Sequence, residues 1–248
     1  MVPILIVTFF AELALGAEHT MEEILYSEVV HLEELTKESQ YMWVLPGMYV
    51  GILLDIYWLK VRKWKVWKLF GIAFLSIALY GMLMYFTLGT GVNIEQYRLA
   101  IFLRGFSYAI LGPTLMWALE ESVPSLELFF MGLFVFNIFH MYLAGATGYG
   151  IYTTIFSHFL NDDMQNYGRQ LTLTRLDLAH FNFGEYVGND FLHSMMLVAM
   201  KRVYGYVIWF ALAIAAIFLL CDIPAIRTNI RKVPRWSVYA IEYLAGKK

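Results

Sequence analysis

The sequence predicts an all-α integral membrane protein built as a bundle of six membrane-spanning helices, and three observations predict it. Hydrophobic residues make up 60% of the chain and charged residues only 15%, with a mean hydropathy of +0.58. That composition lies outside the range of ordinary soluble domains. Apolar runs near the ~20 residues that a helix needs to cross the hydrocarbon core recur along the chain. Between two of them, the stretch 58–68 packs Lys60, Arg62, Lys63, Lys65 and Lys68 among Trp58, Trp64 and Trp67. Lysine and arginine hold such a turn on the cytoplasmic side, and indoles seat it at the headgroups. A nucleic-acid patch and a calmodulin-type basic helix are competing readings, but the flanks are long and uniformly apolar rather than amphipathic.

Each element follows from the same logic. Residues 2–17 form a first, short apolar run. A cleaved signal is the competing reading, but no positive charge precedes the run, Glu12 interrupts it and Leu15 is a poor residue for a cleavage site. Residues 18–40 carry seven glutamates against Lys37, with Met21, Ile24, Leu25, Leu32 and Leu35 at helical spacing. They are expected to form an amphipathic surface helix on the outer, non-cytoplasmic side. The second run spans about 41–59, the third 69–89, the fourth 97–119, the fifth 126–149 and the sixth 203–222. Residues 157–200 are expected to be an outer polar segment with short helices, and 223–248 a basic tail. No Gly/Ser- or Pro-rich linker divides the chain, so 1–248 reads as one domain. The single cysteine, Cys221, excludes a disulfide framework and a Cys-based zinc site, and a net charge of −2 implies no strongly acidic or basic partner such as nucleic acid.

Six spans place both termini on one side. Eleven of the eighteen lysines and arginines lie in the second-to-third turn and the tail. The positive-inside rule then puts both termini in the cytoplasm of a cytoplasmic-membrane protein.

Four residues stand out as carriers of chemistry. Arg104 lies seven residues into the fourth run, where an arginine costs about 2.5–3.5 kcal/mol on insertion scales and needs an interior partner. It serves either a substrate or proton pathway or a structural pair with a carboxylate or carbonyl. Glu12, late in the first run, is the proton-exchange candidate, because a carboxylate in a low-dielectric cavity can load and release a proton near neutral pH. An interfacial glutamate is the plainer alternative. Asn137 and His140, three apart on one helix, share a face that can line a polar cavity or make helix–helix hydrogen bonds. Gly145, Gly148 and Gly150 read as close packing or a bend, since no strand–helix unit supports a phosphate loop there. No cofactor or metal site is expected.

Gly51, Leu53 and Asp55 spell G-x-L-x-D at the end of the second run, followed by the basic turn with Lys60 and Arg62. This resembles the second-to-third-helix signature of the major facilitator superfamily, although Trp58 and Leu59 occupy the middle of its usual ending. Arg104 in LAIFLRGFSYAILGP resembles that superfamily's fourth-helix arginine. The texture of nearly the whole chain is similar to the carboxy-terminal half of a fourteen-helix drug:proton antiporter of Bacteroidetes-like bacteria. The resemblance implies a six-helix half with a 3+3 inverted repeat in an inner membrane. It implies proton-coupled efflux of small amphipathic compounds, with Gly51, Leu53, Asp55, Lys60 and Arg62 as a cytoplasmic gate in which the aspartate pairs with nearby cations. It also implies a second six-helix half, from a homodimer or a separate chain, and a truncated product if none exists. The antiporter motif is only hinted at by Gly112-Pro113.

Two other classes compete. Phe136 with His140 and His158 with Asp162 resemble the FxxxH and HxxxD motifs of prenyl-endopeptidase-like membrane proteases, but Ser27 stands where the required arginine of EExxxR belongs. The reading as an enzyme is therefore set aside. A non-transporting membrane interaction protein is the third class.

Overall fold

The computed structural model describes residues 2–31, 33–62, 64–89, 94–123, 125–170 and 185–220. Among the described residues the chain is helical, with no strand. Eight α-helices follow in order: α1 Val2–Ile24, α2 Glu34–Tyr41, α3 Val44–Ile56, α4 Val66–Thr87, α5 Arg98–Ser122, α6 Leu126–Ile138, α7 Gly145–Gln170 and α8 Glu185–Leu220. π-Helical turns extend α1 (Leu25–Val29) and α3 (Tyr57–Val61) and join α6 to α7 (Phe139–Ala144). Among the described residues six helical stretches are long and apolar enough to cross a membrane: Ile4–Val29, Thr36–Val61, Val66–Thr87, Glu95–Glu121, Glu127–Asn166 and Leu192–Leu220. This fits a multi-pass membrane protein.

Three expected boundaries move. The first helix does not stop at residue 17: it runs through Ile24 and its π-helical turn to Val29. Met21, Glu22, Leu25 and Tyr26 are buried, so this part of the acidic segment is bundle core and not a surface helix. The amphipathic piece shrinks to α2, which begins after a reversal at His31, whose φ of 51° lies in the left-handed region. The fifth span does not end at 149, nor does the sixth start at 203. Helix α7 continues to Gln170 and α8 begins at Glu185, so much of the expected outer segment is helix. Hydropathy marks only the apolar stretch of such helices and misses polar turns that prolong them. The expected tail 223–248 lies outside the described residues.

Helix α4 is the centre of the bundle, packed on α5 along one side and α8 along the other. Its Leu69, Phe70, Ala73, Phe74, Ile77, Tyr80 and Met84 are buried, and Phe74 stacks on Phe218 of α8 at 6.1 Å. Helix α1 lies across this layer, touching α4, α5, α7 and α8. The faces of α3 and α6 that point away from the bundle stay apolar and exposed, with Leu45, Tyr49, Leu53, Phe130, Met131 and Phe134 outward, as lipid contact requires.

The tightest seam is α3 on α5. A methyl group on Gly47 would sit 2.0 Å from the Phe102 carbonyl oxygen, and one on Gly105 2.1 Å from that of Val44. Gly51 is almost as close, 2.7 Å from the Ala109 methyl. In lipid, helices associate through such small-residue contacts because no hydrophobic force drives them together. Gly112 of α5 has nothing within 4 Å of an added methyl. Gly47→Ala is therefore expected to lower stability by about 1–3 kcal/mol, while Gly112→Ala is neutral or slightly stabilising. Thermal unfolding of the detergent-purified variants reads the difference.

Candidate functional site

The site grows from one face of α1. Its apolar residues Ala11, Ala14, Leu15, Ala17 and Met21 are buried, and among them sit Glu12, Glu18 and Glu22. Glu22 is fully buried. Its Oε2 forms an ion pair with the Arg104 guanidinium of α5, and its Oε1 accepts a 2.7 Å hydrogen bond from the Tyr80 hydroxyl of α4. Three helices thus meet at one carboxylate, and the Tyr204 hydroxyl of α8 backs it through Tyr80 at 3.2 Å. The Arg104 guanidinium also lies over the Tyr41 ring, 5.4 Å from its centroid. Stacking on an aromatic face suits a planar, weakly hydrated cation. Breaking such a buried pair on one side leaves an uncompensated charge, the costliest defect a core can carry.

Arg104 is thus where the sequence expects it, inside the bundle and partnered. Its partner Glu22 was not singled out, because it falls in a glutamate-rich stretch that reads as solvated. The helical spacing of Met21 and Leu25 around Glu22 was the available signal.

Glu12 and His140 are brought together. His140 Nδ1 lies 2.8 Å from Glu12 Oε1, an ion-pair contact that lacks good hydrogen-bond alignment. His140 sits in the π-helical turn Phe139–Ala144, where its ring stacks against Phe136 one turn back. The backbone carbonyl of Glu12 also abuts Gly148, whose added methyl would come within 3.0 Å of it. Gly148 is thus the close-packing glycine of the expected trio. Gly150 has open space around it, and Gly145 opens α7 just after the π-helical turn. Asn137 does not join the site. It is exposed on the outer side of α6: the buried residue that shares the face of His140 is Phe136, one turn back, and Asn137 lies one position further round the helix.

The expected gate is rearranged. Gly51 and Asp55 face α5, whereas Leu53 points outward and is 52% exposed. Asp55 is buried, and its Oδ1 accepts a 2.9 Å hydrogen bond from the Thr114 hydroxyl. Among the described residues it has no ion-pair partner, so the expected pairing with Lys60 and Arg62 is not formed. Spacing explains this: Gly47, Gly51 and Asp55 recur every four residues on the buried face of α3, while Lys60 and Arg62 leave the helix on the exposed side. Arg62 Nε instead donates to the Tyr57 hydroxyl at 3.1 Å, and Trp58 stacks on Trp64 at 5.3 Å.

His158 and Asp162 are neighbours on the exposed part of α7, 3.4 Å apart, and are not gathered with His140. Among the described residues no three His, Cys, Asp or Glu side chains converge as metal ligands would. An apolar hollow of about 460 Å³ lies over Val135, Ile138, Phe139, Tyr142 and Leu143, away from the charged cluster.

The Glu22–Arg104 pair yields a double-mutant test. Glu22→Gln or Arg104→Gln alone is expected to destabilise by about 3–5 kcal/mol, and the double variant to recover a large part of the loss because no lone charge remains. Thermal unfolding across the cycle measures this coupling.

Comparison with family models, curated proteins and solved structures found no match to this chain.

Proposed function

We propose that the chain is a six-helix half of a secondary active transporter of the major facilitator type, moving small amphipathic compounds outward in exchange for protons. One observation carries the reading: a cluster of ionisable groups, Glu18, Glu22 and Arg104, buried inside a bundle of mostly apolar helices, with Glu12 partly buried beside it. Ionisable residues at such depth are expensive and concentrate in ion and substrate pathways. The partners of Glu22 and Glu12 come from α4, α5 and the α6–α7 junction, so movement between helices changes the environment of both. The seam of Gly47, Gly51 and Gly105 supports the resemblance in α3, where the glycine of the motif was expected to permit close packing.

In this reading α1 is the moving element. Glu12 and His140 form a link between α1 and the α6–α7 junction that tightens when the imidazole is protonated and loosens when it is neutral. Arg104 anchors the opposite end of the cluster through Glu22. Asp55 and Thr114 hold α3 to α5 on the side of the basic turn, which faces the cytoplasm with both termini. The solute passes where this half meets a second six-helix unit, on another copy or a separate chain, and the apolar outer faces supply the contact with lipid. The rocking of two inverted-repeat halves around a midplane site is the motion this architecture permits.

Proteoliposomes holding the purified chain and a pH-sensitive dye in the lumen test the proposal. An outward-directed gradient of a lipophilic cation is expected to drive proton movement, with Arg104→Lys retaining part of it and His140→Ala slowing it several-fold. Proton flux equal to that of empty vesicles, both alone and with the candidate partner half, would count against transport. A reporter fused after Lys248 is expected to read cytoplasm.

A further inference from the structure

Glu18 is the one carboxylate of the cluster that the contacts above leave unused. It is fully buried, and among the described residues neither of its carboxylate oxygens has a hydrogen-bond partner. Glu22, one helical turn along, takes both the Arg104 guanidinium and the Tyr80 hydroxyl, and Glu12 takes His140. The ionisable groups that act on Glu18 come from every helix around it: Glu12 and Glu22 on α1, Tyr80 on α4, Arg104 and Tyr108 on α5, Tyr152 on α7 and Tyr204 on α8. Arg104 is the one cation in that set, and its charge is already matched by Glu22.

A buried ion with neither hydrogen bonds nor an opposing charge does not persist; it is neutralised by a proton or by a bound cation. A metal cation needs several oxygen ligands converging on it. Among the described residues no such group of side chains exists at Glu18. A proton needs only the one carboxylate.

We infer that Glu18 is held as a neutral carboxylic acid in this closed arrangement and that Glu18, rather than Glu12, is the group that exchanges its proton. The exchange rests on the transport reading, whereas the presence of the proton on Glu18 does not. When α1 swings away from α7 about the Glu22–Arg104 contact with α5, water reaches the carboxyl, its O–H bond breaks, and the proton passes to water and leaves a solvated carboxylate. On reclosure a hydronium ion returns the proton, and the neutral acid is buried again. The Glu22–Arg104 pair stays intact throughout, because its two charges cancel inside the bundle.

Infrared spectroscopy of the purified chain in lipid at neutral pH tests the inference. Exposed carboxyl groups are ionised there, so a carboxylic-acid C=O band reports buried neutral acids. Asp55, whose Oδ2 also lacks a partner, is controlled for with Asp55→Asn. The expected result is a band that shifts slowly in D₂O, disappears in Glu18→Gln and persists in Glu12→Gln and Asp55→Asn. Where Glu18→Gln fails to fold, Glu18→Asp is expected to move the band to a new frequency without removing it. Absence of the band from the unmodified chain, or its survival unchanged in Glu18→Gln and Glu18→Asp, would overturn the assignment. In proteoliposomes that move protons, loss of flux in Glu12→Gln but not in Glu18→Gln would overturn the exchange. A Glu18 band in vesicles that move no protons refutes the transport reading alone.

Discussion

The buried ion pair between Glu22 and Arg104 is the contact on which the arrangement of this bundle depends. An arginine in the interior of an apolar helix bundle is tolerated only with a matched charge. Here the Glu22 carboxylate arrives from α1 and an aromatic face from Tyr41, while the Tyr80 hydroxyl of α4, itself against Tyr204 of α8, holds the carboxylate. Matching this one charge therefore sets the rotation of α1 about its axis. With α1 so turned, Glu12 reaches His140, Gly16 approaches Gly148 and Glu18 is enclosed.

The seam between α3 and α5 works by different physics. Gly47, Gly51 and Gly105 bring two backbones together where a methyl group would collide, and dispersion replaces charge as the source of attraction. Asp55 continues the same face of α3 and ends the seam in a hydrogen bond from Thr114. A charge-matched end on α1 and a close-packed end on α3 thus hold α5 from two sides. Helices of this kind, locked by discrete contacts, shift between alternatives instead of deforming gradually.

Much of this was legible in the sequence, and the failures have a common cause. Apolar runs give the number of spans because the hydrocarbon thickness sets a minimum length. Arg104 was conspicuous because a lone arginine in such a run has no inexpensive explanation. Glu22 was hidden by its neighbours: Glu18, Glu22 and Glu23 read together as the end of a membrane segment, and only pairing across 82 positions turns that end into core. Hydropathy scores a residue by itself, so it cannot register a charge cancelled by a distant partner. Asp55 was legible as a special residue but not in its contact, because the four-residue spacing from Gly47 through Gly51 that aims it at Thr114 competes with the nearby cations in a linear reading. Asn137 was misplaced because a three-residue spacing from His140 fits the helix face only loosely, and the inward position there is Phe136.

The contact on which the rest depends is that of the Glu22 carboxylate with the Arg104 guanidinium in a lipid bilayer. Solid-state NMR dipolar recoupling between ¹⁵N-labelled arginine side chains and ¹³C-labelled glutamate carboxyl groups measures this contact directly in reconstituted membranes. Strong dephasing is expected, vanishing in Glu22→Gln and surviving in Glu12→Gln and Glu18→Gln. Dephasing that is absent, or that persists undiminished in Glu22→Gln, would contradict that contact.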